Sequence, residues 1–137
     1  MCNFSQSLAL ILLASVLGLS SPAGAADDWS YIAGTYALNT DDCKAAATAK
    51  PFSKELVEAL SQEVLTREGI TSPREVHCKF RSSAAAEKGW TVKADCEEMG
   101  EASPAELAVT ANADGSLAVL SEDIYGPEPQ MFLPCPK

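Results

Sequence analysis

Histidine is nearly absent from this chain, and positive charge is scarce. There is one histidine, and ten basic residues face 19 acidic ones in 137 residues, for a formal net charge of −9. No basic stripe exists to release counterions, so phosphates would be repelled. That argues against nucleic acid and anionic lipid as partners, and is compatible with a basic protein. Also missing are a Cys-x-x-Cys pair, a Gly-x-Ser-x-Gly elbow, a phosphate loop and a dinucleotide fingerprint. Without them no thiol-redox, hydrolase or nucleotide chemistry has a sequence anchor. No apolar stretch reaches the roughly 20 residues that a membrane-spanning helix needs.

The longest apolar stretch, Leu8 to Leu19, has 12 residues. That suits the apolar region of a signal peptide. Pro22 then breaks any helix, and Ala23-Gly24-Ala25 supplies small residues at a cleavage site. We therefore expect a signal peptide at 1–25 and one mature domain at 26–137. The segment Met1 to Ser7 has no Lys or Arg, so either the signal is weak or the true start lies upstream. Cys2 precedes the apolar run, whereas a lipoprotein cysteine would follow it. The expected destination is the periplasm, or the medium, and not the membrane.

A mature domain of this size has a marginal core, which small exported domains often reinforce with disulfides. Four cysteines survive cleavage: Cys43, Cys78, Cys96 and Cys135. Val76, Cys78 and Phe80 alternate with polar residues, as do Trp90, Val92, Ala94 and Cys96. Both runs read as half-buried strands, 74–82 and 90–98, joined by a loop at 82–89. If they pair antiparallel about residue 87, paired positions sum to 174. Cys78 then faces Cys96, Phe80 faces Ala94, and Ser82 faces Val92. Opposed α-carbons about 4.5 Å apart permit a disulfide. This assigns Cys78–Cys96 and leaves Cys43–Cys135.

Elsewhere the pattern is mostly strand. Trp29 to Leu38 reads as a strand with Ile32, Tyr36 and Leu38 on one face, and 39–42 as a turn. Leu56, Val57, Leu60, Val64 and Leu65 form a helical stripe. Ser53 is its expected N-cap and Gly69 its expected stop. We assign helix over 53–62 and leave 63–69 open between helix and strand. Leu107, Val109 and Ala111 pair with Leu117, Val119 and Ser121 across the turn Asn112-Ala113-Asp114-Gly115. In the tail, Met131, Leu133 and Cys135 share a face, and Pro129 and Pro134 confine it to a sheet edge at best. The expected fold is mainly β: a small antiparallel meander or barrel with one short helix and two disulfides.

No residue qualifies as catalytic, and no cofactor or metal is expected. His77 falls on the polar face of its strand, between Glu75 and Lys79. Glu97-Glu98-Met99-Gly100-Glu101 is the densest acidic cluster and reads as a solvated strand end and turn. Asn112 and Asp114 have the opening spacing of a calcium loop but lack its downstream ligands.

Two resemblances bear on function. Gly34-Thr35-Tyr36 followed by Cys43, then Cys78-Lys79-Phe80, Trp90 to Cys96 and Cys135, resembles the layout of small bacterial periplasmic β-rich proteins of unknown function. That implies a periplasmic antiparallel β-fold and no particular activity. The opening is also similar to that of periplasmic metalloprotease inhibitors, which implies a small barrel with one disulfide that inserts an N-terminal segment into a protease cleft. The function expected is a non-catalytic periplasmic binding or envelope-associated protein, with a basic periplasmic or secreted protein as partner. The alternative is an inhibitor of a protease or lysozyme, although no insertion loop stands out.

Overall fold

A computed structural model describes residues 27–74 and 76–137. The expected signal peptide and its cleavage site lie outside the described residues. Eight strands close an antiparallel barrel in strict chain order. They are β1 (Tyr36–Ala37), β2 (Val64–Thr66), β3 (Gly69–Thr71), β4 (His77–Ala86), β5 (Gly89–Glu98), β6 (Glu101–Ala111), β7 (Leu117–Leu120) and β8 (Gln130–Pro134). The barrel expected from the period-two runs is the one that forms.

Alternation decides what fills it. Every second residue of β4 to β8 points inward, so Cys78, Val92, Ala94, Cys96, Leu107, Val109, Leu117, Val119 and Phe132 form one core with Leu65 and Ile70. Burying apolar area at about 25 cal/mol per Å² supplies most of the drive to close it. In β1 and β2 the two faces diverge. Tyr36 and Leu65 point inward, whereas Ala37 and Val64 point out and pack under two short helices. These are α1 (Cys43–Thr48) and α2 (Lys54–Ala59). Leu56 and Leu60 of the helical stripe complete this second core.

Ser53 caps α2 as expected, its hydroxyl accepting the Leu56 N–H at 3.2 Å. The helix ends at Ala59, short of the expected 62. The buried Asp42 carboxylate accepts the backbone N–H groups of Ser61 (2.8 Å) and Gln62 (2.9 Å), together with the Ser61 hydroxyl. A tertiary acceptor thus takes the donors that another helical turn would use. The open stretch 63–69 is strand and turn, and Gly69 begins β3 rather than stopping a helix.

The structure corrects several expectations. Only Tyr36–Ala37 of the expected strand 29–38 is strand. Tyr31 and Ile32 are both buried although adjacent, because the chain turns there, with Ile32 N–H donating to the Trp29 carbonyl. Strands β4 and β5 extend through the expected loop, leaving Glu87-Lys88 as the turn. A bulge between Phe80 and Ser82 shifts the register by one, so Ser82 faces Lys93 and Ser83 faces Val92. The tail is not an edge. Strand β8 pairs with β7 over 130–132 and with β1 over 133–134, and Phe132 points into the core while Met131 and Leu133 point out. Two helices, α1 and α3 (Glu122–Tyr125), and a 3-10 turn at Thr40–Asp42 join the one helix expected.

Candidate functional site

The four cysteines pair as expected. Cys78 and Cys96 are direct partners across β4 and β5, with α-carbons 4.0 Å apart, and Cys43 joins Cys135 at 5.5 Å. The first bridge lies inside the barrel, and the second ties α1 to the end of β8. Consumed as disulfides, these sulfurs are neither thiolate nucleophiles nor thiolate metal ligands.

His77 is not simply exposed. It lies half-buried on the outer face of β4, where its Nδ1 accepts the Ser72 N–H at 3.2 Å and Phe52 meets it edge-on. Phe52 holds a left-handed backbone (φ 62°) and donates its N–H to Thr71 Oγ1. The expected turn at 112–115 forms as drawn: Asn112 N–H donates to the Ser116 carbonyl, and Asp114 accepts from Ser116 N–H and Oγ. Those Ser116 donors hold the Asp114 carboxyl below its ordinary pKa. Asp114 therefore serves the turn.

The acidic cluster acquires a shape that the sequence does not reveal. Pairing of β5 with β6 continues to the rung Glu98–Glu101, one beyond the last rung of β4 with β5, His77–Glu97. Strand β7 pairs with β6 only over 108–111. The Glu98–Glu101 rung and the turn therefore extend beyond β4, and on the other side no strand pairs with β6 before Ala108; α3 borders Ser103 to Ala105 instead. At the hairpin tip Met99 (φ 51°) and Gly100 (φ 83°) make a tight two-residue turn, whose double left-handed backbone matches the twist of the strands. Met99 is 80% exposed and is flanked by the exposed Glu97, Glu98 and Glu101. The Cys78–Cys96 bridge lies one residue behind Glu97 and fixes the hairpin to the barrel floor.

A second feature lies at the same end of the barrel. Helix α3 sits over the mouth and leaves a cleft of about 410 Å³, walled by Leu38, the segment 62–63, Ser72, Arg74 and Val76, α3 and the start of β8. Its apolar wall is Leu38, Val76 and Ile124; its polar groups include Glu63, Arg74 and Tyr125. Burial raises the Tyr125 phenol above its ordinary value, and the Glu63 charge adds to that, so the hydroxyl stays protonated as a donor. A smaller cleft of about 190 Å³ shares Val76 and Ile124 and reaches Glu98 beside the hairpin tip.

The opposite end is plugged. Residues 27–35 cross it with Tyr31 stacked on Trp90 at 4.1 Å and Trp29 on Phe80 at 5.8 Å. Asp28 accepts from Trp90 Nε1 at 2.8 Å, and its N–H donates to the Ser83 carbonyl. Among the described residues no helix is long and apolar enough to cross a membrane. Compared with protein-family models, curated proteins and solved structures, the chain matches none.

Proposed function

We propose that this chain is an exported, periplasmic, non-catalytic binding protein that engages a basic partner protein through the tip of the β5–β6 hairpin. The hairpin tip carries the reading. It presents one large exposed apolar side chain, Met99, next to the exposed Glu97, Glu98 and Glu101, on a tight turn three residues from the Cys78–Cys96 bridge. An apolar anchor flanked by charge is how a small surface gains both affinity and orientation, and a preordered hairpin loses little entropy on docking. The charge of −9 would steer a cationic partner toward it. The 12-residue apolar run, the Ala23-Gly24-Ala25 site and the two disulfides support export.

The hairpin tip also favours a second reading, inhibition of a basic lysozyme or protease. A narrow two-residue turn can enter a cleft that a flat surface cannot. The first resemblance fits the binding reading; the likeness to metalloprotease inhibitors, which insert an N-terminal segment, does not extend to this hairpin.

The test compares wild type with a Glu97→Gln/Glu98→Gln/Glu101→Gln variant as bait in periplasmic extract. Wild type should retain basic proteins at low salt and release them as salt rises; the variant should retain at least tenfold less. A captured hydrolase whose activity falls on binding would select the inhibitor reading. Equal capture by both baits would refute the hairpin as the binding surface.

A further inference from the structure

We propose that the barrel-mouth cleft under α3 binds a small aliphatic zwitterion, a free amino acid or a dipeptide, held between Arg74 and Glu63. The inference uses none of the hairpin residues and stands apart from the reading above.

The cleft brings together two opposite charges that do not neutralise each other. Glu63 precedes β2 and Arg74 lies between β3 and β4; both line the same void, yet they form no ion pair with one another. An apolar wall of Leu38, Val76 and Ile124 completes the cleft. A ligand with a single charge would meet its counterpart on one wall and a like charge on the other. A ligand with a carboxylate at one end and an ammonium at the other satisfies both. The Arg74 guanidinium suits a carboxylate, which it can grip through two N–H groups. Glu63 takes the ammonium. An aliphatic body then lies on the Leu38, Val76 and Ile124 surface, and the protonated Tyr125 hydroxyl is left to donate to the ligand carboxylate or carbonyl.

Size agrees with this class. About 410 Å³ is too small for a folded partner and ample for one or two residues. The wall is assembled from five separate stretches of chain rather than one loop, as expected of a pocket made by closing a barrel.

The test is an amide NMR titration of the purified protein with L-leucine and with L-alanyl-L-leucine. At millimolar ligand at least one should shift the Val76, Ile124 and Tyr125 amides in a saturable way. N-acetyl-L-leucine, which lacks the ammonium, and L-leucinamide, which lacks the carboxylate, should bind at least tenfold more weakly to the same wild-type protein. Arg74→Gln and Glu63→Gln should each weaken the zwitterion tenfold or more. Absence of shifts with both zwitterions would overturn the proposal, as would blocked analogues that bind as well as leucine. Because the analogue series uses wild type alone, it decides the matter even if a variant fails to fold.

Discussion

At the scale of single residues the fold depends on a few backbone positions with no room to change. Gly69 opens β3 with φ 145°, a conformation that side chains rarely adopt. A Cβ there would lie 1.9 Å from the Cys78 carbonyl oxygen and 2.9 Å from the Phe52 ring, so the β3–β4 ladder would have to move. Gly69→Ala is expected to destabilise the protein by about 2 kcal/mol or more, since strain and a backbone clash add. Gly34→Ala is the control. Nothing lies within 4 Å of its Cβ, and its cost should stay within about 0.5 kcal/mol. Urea unfolding midpoints of the two variants check this. The role of Gly69 is not legible in the sequence, where it looks like a helix stop, because the oxygen it avoids belongs to a strand nine residues away. The Cys78–Cys96 pair is legible, because alternation and turn position suffice to place it. The bulge that displaces Ser82 from Val92 is not, since a one-residue slip between Phe80 and Ser82 leaves no mark on composition. Arg81, at the bulge, pairs with the Asp95 carboxylate on the outer face.

At the scale of elements, legibility follows length and periodicity. Strands β4 and β5 are ten residues each and alternate plainly. Helix α1 is six residues, half of them alanine, and α3 is four, too short for any apolar stripe to show. The first half of β6 contains Pro104, which argues against a strand. It is tolerated because β7 does not pair there, so the proline takes a position on an open edge where no ladder partner is lost and a stray strand cannot add. The hairpin and the mouth cleft were hidden for the same reason: one depends on where neighbouring strands stop, the other on segments from residue 38 to residue 130. The N-terminal plug has the composition of a strand but turns across the barrel end, and it carries a pH-dependent clasp. Asp28 is held below the ordinary 3.8 chiefly by the Ser30 hydroxyl, then by Trp90 and the Ser30 N–H. A carboxyl lowered by folding stabilises fully above pH 3.8, and the contribution is lost as the pH falls further, through the folded value. Trp90 fluorescence should therefore change below pH 3.8, before global unfolding. In Asp28→Asn that acid step should vanish. A step that persists unchanged in the variant would assign it to another carboxyl.

At the scale of the whole molecule, closure depends on short seams. Strands β5 and β6 share nine rungs, whereas β1 shares two with β2, β3 two with β4, and the seam that closes the barrel, β1 with β8, also has two, Tyr36–Pro134 and Ala37–Leu133. One further bond, from Cys135 N–H to the Thr35 carbonyl at 2.9 Å, extends that seam. Two rungs cannot hold a barrel shut by themselves, since each backbone hydrogen bond contributes only about 1 kcal/mol net. The Cys43–Cys135 bridge begins one residue past the last rung and anchors it to α1. Its partners are 92 residues apart, against 18 for Cys78–Cys96. Loop entropy alone assigns about 4.6 kcal/mol to the long closure and roughly 3 to the short one. That is a large part of the 5–15 kcal/mol typical of a domain. Cys43→Ala/Cys135→Ala is therefore expected to lower stability by about 4 kcal/mol and to open the β1–β8 seam first. Hydrogen exchange should quicken at the Ala37 and Leu133 amides, while the Val92 and Leu107 amides in the β5–β6 sheet keep the protection set by global unfolding. Uniform acceleration across all four amides would mean that the barrel opens as one unit and the seam has no independent weakness. Because the hairpin lies on the long β5–β6 ladder, far in sequence from the seam, its binding surface should survive seam opening, and partner retention by this variant should match wild type as long as the barrel core stays folded.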